Sequence, residues 1–267
     1  MRNTIKQLLL GAVVALSLIS GAQAGETLQR IIDFKVLKVG MSADQPPMTT
    51  LNRQGGVMGF DVDLARGLAK AMRVELDIKV LPFGNLLDAL EKGEIDMIMS
   101  NMSITPERTE QAHFVGPYMM TGKSILTRNS VLAEASDTGA FNREDLKLAT
   151  VANSTSAVFV RENAPAAALT ETETSDEAVA LLIAGKVDGV VADMSVTKLA
   201  VLRNRDSGLV TLKQPLTLEP VGIAVSKNDP EFQNLVDNYV GAFGKTGVLT
   251  QLRKKWFEDG DWIAALP

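Results

Sequence analysis

The strongest constraint on this fold is a pattern that occurs twice, ninety-two positions apart, with chemically different endings. The first copy runs Leu86, Ala89, Leu90, Gly93, Ile95, Asp96, Met97, Ile98, Met99, Ser100, Asn101, and the second runs Ala178, Leu181, Leu182, Gly185, Val187, Asp188, Gly189, Val190, Val191, Ala192, Asp193. In each, apolar residues at i, i+3 and i+4 make a helix face, a glycine closes the helix, and a short apolar run reads as a buried parallel strand. Each copy is therefore half of a βαβ unit. Ligands of open α/β sheets gather beyond the carboxyl ends of the strands. There the first copy delivers Ser100, Ser103 and then Arg108, and the second delivers Asp193. Two similar sheets would present a fixed cation and a fixed anion, a pair that fits the carboxylate and ammonium of a free amino acid.

The same grammar extends on both sides of the repeat. Val36 to Met41 alternates as a strand, and a Pro46-Pro47 loop leads to a helix from about Asp61 to Met72 with Phe60, Leu64, Leu68 and Met72 on one face. A strand follows at Val74 to Leu81, with Asn85 as the expected N-cap of the next helix. Pro106 opens a short helix carrying Glu107 and Arg108, and Gly122 to Thr127 reads as a strand leaving this lobe. The second lobe restarts with a strand at Leu146 to Val151, a helix at Ser154 to Glu162 and a strand at Ala168 to Glu171. Thr174 with Glu177 is a capping-box signal. After Asp193 come a helix to about Arg203, strands at Leu209 to Leu212 and Val221 to Val225, and helices at Asp229 to Phe243 and Val248 to Trp256. The strand near Val221 matches the one near Ile125 in composition, so the chain is expected to cross between lobes twice, making a hinge. The expected division is a signal at 1–24, lobe 1 at 25–123, lobe 2 at 124–218, and a return to lobe 1 over 219–267.

Met1 to Ala24 has the pattern of a secretory signal: Arg2 and Lys6, an uncharged stretch of 12 residues from Leu8 to Ile19, and the small-residue site Ala22-Gln23-Ala24. The stretch is well short of the ~20 residues a spanning helix needs. Cleavage after Ala24 and the lack of any later apolar run lead to the expectation of a bacterial periplasmic chain, not embedded in the membrane and monomeric. The sequence has no cysteine, which excludes disulfides, thiol catalysis and a lipidated cysteine. Arg2 and Lys6 belong to the signal, leaving 25 basic against 32 acidic residues, a net charge of −7. With no basic block interleaved with aromatics, nucleic acid is not an expected partner.

With Arg108, Asp193 and the two-lobed grammar in view, the chain resembles the bacterial extracellular solute-binding proteins of family 3, the polar amino acid binders of ABC uptake systems. The matching runs are Val39-Gly40-Met41-Ser42-Ala43-Asp44-Gln45-Pro46-Pro47, Gly59-Phe60-Asp61-Val62-Asp63-Leu64-Ala65 and the stretch from Gly93 through Ser103-Ile104-Thr105-Pro106-Glu107-Arg108. Ala184-Gly185-Lys186-Val187-Asp188, Asp193 and Lys255-Trp256-Phe257 complete them. The resemblance implies an α/β, type II periplasmic-binding-protein fold with the ligand between two lobes joined by hinge strands. It implies that Arg108 grips an α-carboxylate, helped by Ser103 and backbone near Ser100 and Ser154-Thr155, and that Asp193 takes the α-ammonium. Phe83 stands where the family puts an aromatic against the ligand side chain. Gln45 and Met48 replace residues that are often aromatic, and Ser42 stands where binders of basic amino acids often carry aspartate, which disfavours a cationic ligand. The implied partner is an inner-membrane ABC permease, with no cofactor, no metal and no catalytic residue.

Each role has a simpler alternative. Arg108 could be a surface residue paired with Glu107 or Glu110, an arrangement worth about 0–1 kcal/mol, whereas the ligand role uses its planar fork. Asp193, between strand and helix, is also a natural N-cap. Ser100, Ser103 and Thr155 could cap backbone, and Phe83 could be ordinary core. His113, the single histidine, is expected to be structural, so neither a familiar zinc site nor a Ser-His-Asp triad can be assembled around it. Gly55-Gly56 and Gly59 lack the Gly-Lys-Ser/Thr of a phosphate loop. Two rival functions follow: a cyclohexadienyl dehydratase-like enzyme, with Glu171 and Glu173 as candidate general acids, and a ligand-sensing module that needs a signalling partner.

Overall fold

The computed structural model describes residues 25–135 and 137–267, so the secretory signal expected at 1–24 lies outside the described residues. Lobe 1 begins with α1 (Glu26–Phe34) and β1 (Val36–Met41), the latter at the bounds its alternation predicts. A ribbon of β2 (Asp44–Gln45), β3 (Thr49–Leu51) and β4 (Val57–Met58) surrounds the Pro46-Pro47 loop. Helix α2 (Phe60–Met72) buries Phe60, Leu64 and Leu68 at the spacing read from the sequence, and β5 (Glu75–Val80) follows. The first repeat copy becomes α3 (Leu86–Glu91) and β6 (Met97–Ile98). Then come α4 (Pro106–Thr109), capped by the Thr105 hydroxyl, and β7 (His113–Thr121).

Lobe 2 contains β8 (Lys123–Thr127), α5 (Ser130–Ala133), β9 (Lys147–Val151), α6 (Thr155–Asn163) and β10 (Ala168–Thr172). The second repeat copy follows as α7 (Ser175–Ile183) and β11 (Gly189–Asp193), before α8 (Met194–Arg203) and β12 (Val210–Thr211). The chain then returns through β13 (Glu219–Val225) to α9 (Pro230–Lys245) and α10 (Val248–Arg253) on lobe 1.

The lobes are copies of one plan. Their sheets run β5-β1-β6-β13-β7 and β10-β9-β11-β8-β12, and the repeat strands β6 and β11 hold the third place in each. Each lies parallel to one neighbour, β1 for β6 and β9 for β11, and antiparallel to the other, β13 for β6 and β8 for β11. Gly93 and Gly185, just past α3 and α7, adopt φ of +70° and +68°, the left-handed turn that glycine enters without steric cost. Thr174 caps α7 by accepting from the Glu177 amide at 3.2 Å, as expected, while the Glu177 carboxylate reaches the Glu173 amide at 3.0 Å. Asn85 makes no cap bond, because a 3-10 turn over Phe83–Asn85 leads into α3 and occupies the capping position.

The chain crosses between lobes twice, from β7 to β8 and from β12 to β13. Val221 faces Met119 in the lobe 1 sheet, whereas Ile125 faces Val191 in the lobe 2 sheet. Similar apolar composition does not select a strand partner; the switch of sheet at Gly122 separates them. A Cβ at Gly122 would lie 2.0 Å from the Thr217 carbonyl oxygen on the returning segment, so the two crossings touch backbone to backbone. Each lobe has its own core, one around Phe60, Met97, Ile223 and Phe232 and the other around Ile125, Leu148 and Val191. Among the described residues no helix is long and apolar enough to cross a membrane.

Candidate functional site

Because the repeat strands hold equivalent places, their carboxyl ends face each other across the gap between lobes. Asn101 and Asp193, the last residues of the two copies, meet there: the Asn101 Nδ2 donates to Asp193 Oδ2 at 2.6 Å and to Gln45 Oε1 at 3.0 Å. Asn101 sits at φ +51°, a conformation asparagine tolerates better than most residues. Its amide donates to Asp61 at 2.7 Å, and the Tyr118 hydroxyl donates to the other Asp61 oxygen at 2.7 Å. Burial pushes the Asp61 carboxyl up to about 7, against the lowering effect of those two bonds.

Arg108 lies inside the molecule, 7% exposed, so the surface pairing with Glu107 or Glu110 does not form. Its guanidinium donates to the Ser103 carbonyl at 2.9 Å and, across the lobes, to the Asn153 carbonyl at 3.2 Å. It also lies 5.4 Å above the Phe83 ring centre, within range of a cation–π contact. Among the described residues no carboxylate comes within 4.0 Å of it. Burial lowers its pKa, while Glu219 and Asp193 pull the other way. A buried guanidinium bonded to neutral carbonyls keeps an unmatched positive charge next to the cleft.

Asp193 precedes α8, yet its side chain makes no cap bond. It points into the cleft, where Lys123 Nζ lies 2.5 Å from its Oδ1. Lys123 also lies 3.1 Å from Glu219 Oε2, and that oxygen accepts from the hydroxyls of Ser103 and Thr155, both at 2.8 Å. Burial raises the Glu219 pKa, but Lys123 and the two hydroxyls together outweigh it and hold the carboxyl below its ordinary range. Asp44 on β2 accepts from the Ser175 amide of lobe 2 at 2.9 Å, a further bond between the lobes.

Of the residues singled out from the sequence, Gln45, Phe83, Ser103, Ser154, Thr155 and Asp193 line one shared cavity of about 30 Å3. Ser154 also caps α6, accepting from the Ala157 amide at 3.2 Å. Arg108 lies behind Phe83 and Ser103 and is not part of the lining. Ser42 and Ser100 are not either: the Ser100 hydroxyl accepts from the Ser42 amide at 2.9 Å and donates to the Ser42 hydroxyl at 3.0 Å. Met48 is buried in the lobe 1 core. His113 is exposed at the start of β7, and the described residues contain no cluster of metal-binding side chains. Glu171 pairs with Arg161 at the surface and Glu173 is exposed, so neither faces the cleft. The volume enclosed holds about two water molecules. An amino acid can enter only if the lobes part.

Sequence reasoning did not single out Lys123, Glu219 or Asn101. Asn101 carried a signal, since it ends the first copy where Asp193 ends the second. Lys123 carried a weaker one, a charge at the head of the otherwise uncharged strand Lys123–Thr127, all five residues of which are buried.

This two-lobed geometry agrees with comparison to known proteins. The chain is 26% identical over 259 residues to an ABC transporter arginine-binding protein of Escherichia coli, covering 95% of this chain and 99% of that one. It is 27% identical over 253 residues to a cyclohexadienyl dehydratase of Pseudomonas aeruginosa, covering 94% of each. An ancestral amino acid-binding protein, described as a precursor of cyclohexadienyl dehydratase, superposes with a TM-score of 0.79 at 32% identity, over 87% of this chain and 100% of that one. The fold is that of the type II periplasmic binding proteins. Residues 37–259 match the model of one family, and the chain belongs to it: the bacterial extracellular solute-binding proteins, family 3.

Proposed function

We propose that this chain is the periplasmic substrate-binding component of an ABC transporter, capturing a free amino acid by hinge closure and delivering it to a membrane permease. The observation that carries the reading is the buried guanidinium of Arg108 on lobe 1, with no carboxylate partner among the described residues, beside a cleft whose opposite wall carries Asp193. An amino acid's carboxylate suits the guanidinium fork and its ammonium suits Asp193, and only the closed lobes offer both together. Two charges ~4 Å apart at an effective dielectric near 20 attract by ~4 kcal/mol before desolvation. That is enough to bias an open–closed equilibrium. Relatives named as amino acid-binding proteins of ABC transporters support the same reading.

The dehydratase relative makes elimination chemistry the alternative. It requires a general acid at the cleft, and Glu219 is held in its ionised form by Lys123 and two hydroxyls, which favours binding over proton donation. Steady turnover of prephenate or arogenate by the purified protein would replace the transport reading.

The decisive experiment is a thermal-shift screen against the twenty amino acids, in which a ligand at 100 times its Kd adds ~2.7 kcal/mol of stability. Arg108→Ala removes two charge-assisted bonds worth ~1.5–3 kcal/mol each, so affinity by calorimetry should fall by about two to four orders of magnitude. If no amino acid stabilises the protein, or the variant binds as wild type does, the reading fails.

A further inference from the structure

Lys123 has no part in the function proposed above, and its position is unusual for a lysine. It is 3% exposed, at the head of a buried strand, and it lines the cavity. Register places it directly opposite Asp193 on the neighbouring strand. Side chains of opposed residues share one face of a sheet, so the fold itself aims the ammonium at the carboxylate. Both Asp193 oxygens are engaged, Oδ1 by Lys123 and Oδ2 by Asn101. Glu219 is engaged just as fully, with Lys123, Ser103 and Thr155 on Oε2 and Thr217 on Oε1 at 3.0 Å. Both carboxylates of the acidic wall are thus already engaged, by neutral donors and by one cation that the protein carries. Asp44 lies outside the cavity lining, with Oδ2 held by the Ser175 amide and Oδ1 buried without a hydrogen-bond partner among the described residues.

We propose that Lys123 sets the charge of the ligand: it occupies the acidic side of the cleft and thereby excludes amino acids with cationic side chains, leaving the neutral ones. The inference rests on the amino acid-binding reading. A neutral zwitterion leaves the charge of the cleft unchanged. Its carboxylate goes to Arg108 and its ammonium to Asp193, while Lys123 stays on Glu219, which it already contacts. The side chain of lysine or arginine brings one more positive charge into a space where Asp193 and Glu219 are both in use, beside Lys123 itself. Like charges brought together in a desolvated site select strongly against the wrong partner. Chemically the exclusion resides in one removable ammonium.

The test is calorimetric titration of the full mature protein and of Lys123→Gln, Lys123→Met and Lys123→Arg with alanine, glutamine, arginine and lysine. Wild type should bind alanine or glutamine at least about thirtyfold more tightly than arginine and lysine, and the Gln variant should narrow that ratio at least about tenfold. Lys123→Met, which keeps the volume of the buried stem, should do the same and serves if the Gln variant does not fold. Lys123→Arg, which keeps the charge, should keep the wild-type order. A wild type that binds arginine or lysine as tightly as glutamine overturns the proposal, as does a folded Gln or Met variant with the wild-type ratio; either result leaves amino acid binding intact. Binding to none of the four probes overturns the proposal, and failure of all twenty amino acids in the thermal screen overturns the binding reading beneath it.

Discussion

Asn101→Asp exchanges a donor for an acceptor at the point where the two repeat copies touch, with almost no change in shape. The left-handed backbone at φ +51° accepts aspartate about as well as asparagine. What changes is the 2.6 Å contact with Asp193 and the 3.0 Å contact with Gln45. A charge-assisted hydrogen bond worth ~1.5–3 kcal/mol disappears. In its place two carboxylates repel by ~4 kcal/mol at ~4 Å and an effective dielectric near 20. Lys123 already contacts Asp193 and offsets part of this. If it halves the repulsion, the closed form still loses about 4 kcal/mol, roughly a thousandfold in the open–closed equilibrium. The pair can escape by taking up a proton, which costs about 1.4 kcal/mol for each pH unit above the ordinary carboxyl value. Protonation is therefore cheap at pH 5 and costs more than opening at pH 8. Small-angle scattering should give Asn101→Asp a larger radius of gyration than wild type at pH 8 and the same radius at pH 5. An unchanged radius at pH 8 would refute the view that this contact helps hold the lobes together.

Asp61 gives a pH dependence of defined sign. Its folded value of about 7 lies above the usual 3.8, so the folded state keeps a proton that the unfolded chain releases. Stability should then fall as pH rises from about 4 to about 7 and level off above, by at most about 4 kcal/mol. Urea unfolding of Asp61→Asn should lack this component; a variant with the wild-type slope would show that the slope originates elsewhere. Gly93→Ala and Gly185→Ala occupy equivalent turns with nothing within 4 Å of the new methyl. Each should cost only the left-handed backbone penalty, about 1–2 kcal/mol, and the two costs should be similar. Unequal costs in chemical denaturation would break the structural equivalence of the copies.

Much of the fold is legible in the sequence because it depends on local periodicity. The 3.6-residue spacing of Phe60, Leu64 and Leu68, the alternation of Val36 to Met41 and the glycines at 93 and 185 each act within one turn or one strand, and the elements stand within a few residues of those readings. The duplicated pattern goes further: it implies two sheets of one design and gathers Arg108, Ser103 and Asp193 around one gap. The sequence is silent where the answer depends on partners distant along the chain. Val221 and Ile125 look alike yet belong to different sheets, because composition carries no information on which edge a strand joins. Asn85 looks like a cap, but the 3-10 turn before α3 removes the need for one. The bond between the Ser42 and Ser100 hydroxyls joins two strand ends 58 residues apart and has no local signal.

The amino-acid sequence by itself determined the lobed α/β plan, the chemistry at the strand ends and the family, since these follow from short-range spacing and side-chain type. Tertiary structure decided which charges meet. Lys123 and Asp193 lie seventy residues apart and become neighbours only through the antiparallel register of β8 and β11, while Glu219 reaches them only after the chain has crossed between lobes for the second time. Electrostatic pairing depends on distances of a few ångströms in space, and those distances are fixed by register and closure, which no local pattern encodes.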